Sequence, residues 1–256
     1  MRAFPISLPC SLTRGEILAR AVWAISDLHL SLAGLGKEMD LFGEEWINHA
    51  DRIAKNWQGK IREEDVVLLA GDFSWAKNRQ EVLPDLEWLE SLPGRKILIK
   101  GNHDFWWSSA KQMASFLPPS VTCLHNTAWN DGQLAIAGTR LWNSSVIPFE
   151  GRECSIGKED ENIFLRELGR LERSLLQMNE EANLRLVMTH YPPVNFSLES
   201  TVVTQMLRKH RIERAIFGHL HGLSPDRVLF GNKEGICYQL TSCDYLQFSP
   251  LFLFSF

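Results

Sequence analysis

The sequence predicts an α/β protein in which two packed mixed β-sheets are flanked by helices. Three observations lead to this prediction. Short apolar runs alternate with stretches that have the apolar spacing of helices, which is typical of strands whose faces are covered by helices. The candidate strands are too numerous for one simple parallel sheet. The chain has 256 residues, of which 45 % are hydrophobic, and this supports a substantial core.

Five apolar runs are predicted to be buried strands, because continuous short runs of this kind are typical of strands that are covered on both faces. Three stretches between them have helical spacing. The strands are predicted at residues 21–25, 66–70, 96–99, 184–188 and 215–217, and the helices at residues 44–57, 80–92 and 161–178.

Other short apolar runs are candidates for additional strands, at residues 121–124, 133–137, 227–230, 236–240 and 250–254. Turn-forming sequences, such as Asn-Asp-Gly at 130–132, separate some of them. We expect a single domain over residues 1–256, because the chain has no internal repeat and no long linker. Residues 1–20 are interpreted as a non-exported N-terminal extension, since Pro5 and Pro9 interrupt their apolar stretch.

The composition argues against several classes of protein. The formal net charge is −4, from 27 Lys and Arg and 31 Asp and Glu, so stable nucleic-acid binding is not expected. No apolar run approaches the roughly 20 residues that a membrane-spanning helix needs. The five cysteines are scattered and form no Cys-x-x-Cys pair, which indicates a cytoplasmic protein with reduced, incidental thiols.

Polar residues directly follow each of the five buried runs. In open α/β sheets, ligands bind beyond the carboxyl ends of the strands, so neighbouring strands would bring these polar clusters to one place. Glycines open three of the turns and permit a close approach of the backbone to a metal or phosphate. The candidate side chains are Asp27, His29, Asp72, Asn102, His103, Asp104, His190, His219 and His221.

The side chains in these clusters have the chemistry of a metal site. Carboxylate, carboxamide and imidazole donors suit manganese, iron or zinc, and the lack of cysteine argues against a thiolate site. Seven of the candidate side chains, all except His103 and Asp104, are potential metal ligands. Seven ligands are too many for one ion with an open position but suit two ions about 3.5–4 Å apart that share a carboxylate. Asp27 and His29 are two residues apart, so in an extended backbone their side chains point to the same side. The same holds for His219 and His221.

These motifs, in this order, resemble those of the calcineurin-like metallophosphoesterases. The resemblance implies the four-layer α/β sandwich of that family, and the motifs extend over about two hundred residues. The blocks that match this family are Asp27-Leu28-His29, Gly71-Asp72, Gly101-Asn102-His103-Asp104, His190 and Gly218-His219-Leu220-His221.

A second resemblance is to a bacterial group of predicted phosphohydrolases. It lies in residues 73–75, 105–107, 138–140, 190–193 and 242–246.

The resemblance implies a role for each matched position. His103 would face the substrate and would protonate the leaving oxygen or stabilise the charged phosphorus centre. Asp104 would orient His103, as carboxylates commonly fix the tautomer of an imidazole. The metal ligands would be Asp27, His29 and His221 for one ion, Asn102, His190 and His219 for the second, and Asp72 for both.

Several residues outside the motifs have two interpretations. Arg140 is a candidate for bidentate binding of a phosphate, or forms an ordinary surface ion pair. Lys37 is a weaker candidate for a substrate contact. Trp75, Trp106 and Trp107 either pack beneath the site or form an aromatic rim that stacks on a base or sugar. The remaining histidines are assigned to structure or surface; they are His49, His125 and His210.

The predicted function is hydrolysis of a phosphomonoester or phosphodiester. The expected substrate is a small phosphorylated molecule, a class that includes nucleotides. A metal-bridging hydroxide would attack the phosphorus, and a positioned acid such as His103 would accelerate the reaction about 10²–10⁴-fold. The alternatives are a non-catalytic scaffold, a nuclease, which would favour a basic groove, and a lipid-linked diphosphate hydrolase, which would favour an amphipathic segment. Loops at residues 31–42, 73–79, 104–111 and 140–159 are expected to determine the substrate.

Overall fold

The structure is a computed structural model that describes residues 19–36, 39–147, 156–226 and 229–256. Four features of the sequence analysis lie outside the described residues: the predicted N-terminal extension up to residue 18, Lys37, the cysteines Cys10 and Cys154, and residues 227–228 of one predicted strand.

The described residues form eleven strands in two sheets. Those of the first sheet are β1 (Ala21–Ala24), β2 (Val66–Leu69), β3 (Arg95–Leu98), β4 (Val121–Cys123) and β11 (Leu251–Ser255), in the order β11-β1-β2-β3-β4. Those of the second are β5 (Ala128–Asp131), β6 (Leu134–Thr139), β7 (Leu184–Thr189), β8 (Arg214–Phe217), β9 (Asn232–Lys233) and β10 (Ile236–Leu240), in the order β5-β6-β7-β8-β10-β9.

Both sheets are mixed, with parallel strands at the centre and antiparallel strands at three of the four edges. Strands β1 to β4 are parallel, and β11 pairs antiparallel with β1. In the second sheet β6, β7, β8 and β10 are parallel, while β5 and β9 are antiparallel edge strands. Parallel neighbours require crossover connections, and helices lie in most of these connections.

The α-helices are α1 (His49–Gln58), α2 (Arg79–Glu90), α3 (Ala110–Met113), α4 (Lys158–Leu176) and α5 (Val202–Lys209). Two 3-10 helices, Met39–Phe42 and Glu44–Trp46, precede α1. Among the described residues, no helix combines the length and the apolar character needed to cross a membrane.

Side chains alternate between two apolar layers along the buried strands. In β2, Val66 and Leu68 belong to the cluster between the sheets, whereas Val67 and Leu69 belong to an outer cluster that includes residues of α1 and α2. A third cluster covers the outer face of the second sheet with residues of α4 and α5. The layers are therefore helix, sheet, sheet and helix. This arrangement confirms the predicted fold class and explains why the strands have continuous apolar sequences.

The two sheets join at the carboxyl ends of their strands. Ser26, just beyond β1, forms a bridge with Ser242, just beyond β10. The amide of Ser26 donates to the carbonyl of Thr241 at 2.7 Å, and the amide of Cys243 donates to the carbonyl of Ser26 at 2.9 Å. The polar turns of both sheets consequently meet at a single edge.

Several details differ from the predicted elements, and three of them have a clear local cause. The helix predicted at 44–57 is interrupted because Asn48 has a left-handed backbone with φ of 54°. The strand predicted at 227–230 is not formed at residues 229–230, where Phe230 instead packs edge-on against Phe217 with ring centroids 4.7 Å apart. Strand β5 was not predicted, because its sequence, Ala-Trp-Asn-Asp, is that of a half-exposed edge strand without an apolar run.

Asp65 ties the start of β1 to the start of β2, and its loss is expected to weaken the fold. Its carboxylate is 1 % exposed and accepts the amides of Ala21 at 2.9 Å and Arg62 at 3.0 Å, and the indole N–H of Trp23 at 3.2 Å. Burial acts to raise the pKa of Asp65, but these hydrogen bonds outweigh it and hold the pKa below its usual value.

We expect Asp65→Ala to lower the free energy of unfolding by roughly 1.5–3 kcal/mol, the usual range for hydrogen bonds to a charged group. Because the pKa is lowered in the folded state, the contribution of Asp65 is present above the unfolded pKa and is lost as the pH falls through the folded pKa. Urea unfolding at neutral pH measures the effect, with the exposed neighbour Glu64→Ala as the control. Equal stability of both variants would contradict the assignment.

Candidate metal centre

The candidate ligands lie in turns that follow strands of both sheets, and four of these residues have left-handed backbones. The φ angles are 58° at Asp27, 46° at His29, 51° at Asp72 and 68° at His219. Residues other than glycine rarely adopt this conformation, and it is concentrated at functional sites. The backbone between Asp27 and His29 is therefore not extended, contrary to expectation. Left-handed turns, and not an extended segment, direct the side chains inward.

The first group of candidate ligands joins the end of β1 to the turn after β8. The ligand atoms of Asp27, His29 and His221 all lie within 4.8 Å of one another. The Nε2 atoms of His29 and His221 are 3.3 Å apart, and Nε2 of His221 is 3.7 Å from Oδ1 of Asp27. These three side chains are those that the family resemblance assigns to the first metal.

The second group of candidate ligands surrounds the amide oxygen of Asn102. This oxygen is 2.7 Å from Nε2 of His190 and 3.0 Å from Nδ1 of His219. Asp72 lies between the two groups, because its Oδ2 is 3.3 Å from Nε2 of His190 and 3.7 Å from Nε2 of His29. The structure thus brings all seven candidate ligands together, with one carboxylate positioned to be shared.

Hydrogen bonds fix the ring orientation of two candidate ligands. Nδ1 of His190 donates to the carbonyl of Ala70 at 3.0 Å, and Nδ1 of His221 donates to Oδ1 of Asp244 at 3.0 Å. Each contact assigns the proton to Nδ1 and leaves the Nε2 lone pair for the centre, which is the usual role of groups that support metal-binding histidines. Asp244 was not predicted as a site residue. Its only signal in the sequence was its place in the segment 242–246 of the second resemblance.

The charges of the site fit bound cations. Asp27 and Asp72 are 0 % and 1 % exposed, and among the described residues only histidines form ion pairs with them. Buried carboxylates need a compensating cation. Burial raises the pKa of Asp27 to about 6. Burial also acts to raise the pKa of Asp72, but His190 outweighs it and holds that pKa low.

The imidazoles respond to the same surroundings in opposite ways. Burial lowers the pKa of His29 to about 3, so this ring is neutral and offers a lone pair. Burial acts to lower the pKa of His190 as well, but the carboxylates of Asp72 and Asp27 outweigh it and raise the pKa to about 9. A field that draws a proton onto His190 also attracts metal cations. Together with the carboxylate, carboxamide and imidazole donors, it supports the fit of manganese, iron or zinc ions to these residues.

Two of the glycines predicted to open ligand turns are required by close contacts. A side chain at Gly71, whose φ is 94°, would place its Cβ 2.7 Å from Cα of Gly101 and 2.8 Å from Nδ1 of His190. A Cβ at Gly101 would collide with the carboxylate and the amide of Asp72. The turns after β2 and β3 therefore pack backbone against backbone, which only glycine permits.

His103 and Asp104 have different surroundings. The ring centroid of His103 lies 4.4 Å from that of Trp75 and 5.6 Å from that of His29, and the side chain lines an open cleft. Asp104 is fully buried, and its carboxylate accepts the indole N–H of Trp106 at 3.0 Å. The same carboxylate accepts four backbone amides, those of Asp72, Phe73, Ser74 and Gly101.

Asp104 therefore organises the backbone of the ligand turns. Five N–H donors bind this carboxylate, which the family resemblance expects to orient the imidazole of His103. The amide of His103 donates to Oδ1 of Asp72 at 2.8 Å, which ties His103 to the same network. We accordingly propose that Asp104 positions His103 through the backbone.

Some of the other candidate residues make contacts within the protein, and others line the cleft. Arg140 pairs with Glu167 at 3.3 Å and lies over the ring of Trp142, and it does not line this cleft. Trp106 and Trp107 are buried in the core beneath the turns, whereas Trp75 is partly buried and lines the cleft. The three remaining histidines do not line the cleft: His49, His125 and His210.

The cleft above the candidate ligands has a volume of about 430 Å³. Its walls include Met39, Phe42, Trp46 and Trp75, and the carboxylates of Glu45 and Asp244. Two of the loops that were expected to determine the substrate, 31–42 and 73–79, contribute to these walls. The loops at 104–111 and 140–159 do not, as far as their described residues are concerned.

Replacing Asp244 with asparagine is expected to weaken metal binding without removing a ligand. The variant loses the carboxylate that holds Nδ1 of His221, and loss of such a supporting group typically costs about 10–100-fold in metal affinity. Titration of manganese into the full-length variant, followed by metal analysis, measures the change. Asp226→Asn, in the exposed turn after His221, serves as the control. Unchanged affinity in Asp244→Asn would show that His221 does not depend on this contact.

A family model matches most of the chain, and individual relatives match about one third of it. Residues 21–223 match the family model described as calcineurin-like phosphoesterase, a range that contains all candidate ligands. The chain is 41 % identical over 83 residues to the gene 66 protein of Mycobacterium phage D29, which is 32 % of this chain and 40 % of the phage protein.

A second relative is an uncharacterised protein of Methanocaldococcus jannaschii, which is 32 % identical over 85 residues, 33 % of this chain and 47 % of that protein. The chain thus matches less than half the length of either relative. The crystal structure of phosphopantetheinyl hydrolase from Mycobacterium tuberculosis superposes with a TM-score of 0.52 at 14 % identity, covering 88 % of this chain and 89 % of that one. At this identity the likeness concerns the fold alone.

Proposed function

The chain belongs to the calcineurin-like phosphoesterase family, and from this premise we propose that it is a dinuclear-metal-dependent phosphohydrolase that cleaves a phosphomonoester or phosphodiester of a small molecule. One observation carries the proposal. The carboxylate of Asp72 lies 3.7 Å from His29 and 3.3 Å from His190, one histidine of each ligand group, beside a cleft that His103 lines.

Each candidate ligand has a defined task in this proposal. When bound, two metal ions neutralise the phosphoryl oxygens and lower the pKa of water enough to supply hydroxide near neutral pH. Asp72 would be the shared ligand, because its carboxylate lies near both His29 and His190. The ligands would be Asp27, His29 and His221 for one ion and Asn102, His190 and His219 for the other.

His103 is the proposed general acid. Its backbone amide is fixed by Asp72, and its ring is close to Trp75, so the imidazole is held at the wall of the cleft. From this position it would give a proton to the oxygen of the leaving group. The protein needs no covalent nucleophile for this reaction.

The walls of the cleft favour an apolar or aromatic organic group on the substrate. Phe42 is 66 % exposed, and with the partly buried Trp75 it lines the cleft with rings on which a flat group could stack. Among the described residues, the lining includes no lysine or arginine, while Glu45 and Asp244 add negative charge. We therefore propose that the part of the substrate in this cleft carries no anionic group besides the phosphate that reacts.

Nitrophenyl phosphate and bis-nitrophenyl phosphate test the proposal, since both present an aromatic leaving group. We expect turnover of at least one of them by manganese-loaded protein, loss of turnover after chelation, and recovery when manganese is returned. The metal content is measured on the same samples. Protein with two metals bound that hydrolyses neither compound, nor any member of a nucleotide panel, would favour the non-catalytic scaffold.

A further inference from the structure

A second cavity lies at the same edge of the sheets, and none of the candidate ligands lines it. Its volume is about 60 Å³, which corresponds to roughly four waters at about 10–15 Å³ each. This space suits one tetrahedral oxyanion and is much smaller than the cleft of about 430 Å³. The polar side chains that line it include Lys100, His125, Thr139, Arg140, Glu167 and Arg170.

The cavity has an excess of positive charge. Among the described residues, Glu167 is the only carboxylate in the lining; it is 1 % exposed and binds two guanidinium groups, Arg170 at 2.7 Å and Arg140 at 3.3 Å. Its second oxygen accepts the hydroxyl of Thr139 at 2.9 Å. Lys100 adds a third cation, and none of the described carboxylates lies within 4.0 Å of its ammonium.

The donors in the cavity are held in place. The guanidinium of Arg140 lies 4.4 Å from the ring of Trp142, which restrains it. Nδ1 of His125 accepts the indole N–H of Trp107 at 3.2 Å, so the ring carries its proton on Nε2. An oxyanion supplies several acceptors at once for the guanidinium and ammonium groups that line the cavity.

We propose that this cavity is an oxyanion subsite in which Lys100, Arg140 and Arg170 bind one phosphate-sized anion. The subsite adjoins the metal centre through the backbone, because the carbonyl of Arg140 accepts the amide of His190 at 3.1 Å. The anion is either a second phosphate of the substrate or a free phosphate ion. Binding of the anion does not depend on the proposed hydrolysis, so each can fail without the other.

Equilibrium dialysis with labelled inorganic phosphate tests the subsite on manganese-loaded protein. We expect wild type to bind one phosphate more per chain than the Lys100→Gln/Arg170→Gln variant, and Arg170→Gln alone to weaken this phosphate about tenfold or more, as for a lost charge-assisted hydrogen bond. Any phosphate bound at the metal centre is present in all samples, so it does not change the difference between wild type and variant. Arg173→Gln, an exposed arginine of the same helix, is the control and should match wild type.

The source of the anion is identified by kinetics on the same proteins. If the subsite holds a second phosphate of the substrate, Arg170→Gln lowers kcat/KM for a nucleoside bisphosphate relative to nitrophenyl phosphate about tenfold. If it takes free phosphate, the phosphate stoichiometry changes and this ratio does not. Either result supports the subsite. Equal phosphate stoichiometry and affinity in wild type, Arg170→Gln and the double variant, with equal metal content and thermal stability, would overturn it.

Discussion

Replacing His103 with alanine is expected to lower kcat about 10²–10⁴-fold, the usual contribution of a positioned general acid. The metal content should stay unchanged, because the side chain of His103 belongs to neither ligand group and only its backbone amide contacts Asp72. The alanine variant keeps that amide. The measurement is kcat for an alkyl phosphate, for which the full loss is expected, together with metal analysis on the same preparation.

The loss of rate in His103→Ala should depend on the leaving group of the substrate. A substrate with a good leaving group needs little protonation, so the loss in His103→Ala should be smaller for nitrophenyl phosphate than for an alkyl phosphate. His210→Gln is the control, since His210 lies at the end of α5 and does not line the cleft. A fall of less than about tenfold for both kinds of substrate would contradict the assignment of His103 as the acid.

Replacing Asp72 with asparagine is expected to abolish the shared metal site. The amide keeps the shape of the side chain and an oxygen for the amide of His103, but it removes the charge between His29 and His190. Removal of one partner from a buried charge pair costs roughly 3–5 kcal/mol, or about 10²–10⁴-fold in affinity. We therefore expect fewer than two metals per chain and turnover reduced by a similar factor.

Asp65→Ala separates loss of metal from loss of stability. Asp65 is another buried aspartate, but its partners are Ala21, Trp23 and Arg62 at the opposite ends of the strands. This variant should be less stable and should still bind its metals, whereas Asp72→Asn should lose metal even while folded. If Asp72→Asn retained both metals and full turnover, Asp72 would not be the bridging ligand.

The strands, and the turns that hold most of the candidate ligands, could be predicted because both depend on the local sequence. Val66 to Leu69 are apolar without alternation since both faces of β2 are buried, and the run is visible without a structure. Each ligand turn follows such a run. Because the sheets place the carboxyl ends of parallel strands side by side, their order along the chain was enough to suggest one site.

Other residues of the site depend on contacts that the sequence does not record. Asp244 matters because it touches His221, 23 positions away, and nothing in its own surroundings indicates this. Trp75 and Trp106 both follow a metal motif closely, yet one lines the cleft and the other is buried. The carboxylate of Asp104 also accepts the backbone amides of the preceding turns, a role that its place beside His103 in the sequence does not indicate.

The order of the strands has a consequence for synthesis of the chain. Strand β1 is made early, but one of its two neighbours, β11, is the last of the described strands to be made. Until then the edge of β1 has unpaired backbone groups, which invites pairing with other chains. Asp244 also reaches His221 only late in synthesis. A ribosome that stalls after β8 would release a chain with most of its metal ligands and an open sheet edge, a species prone to aggregation.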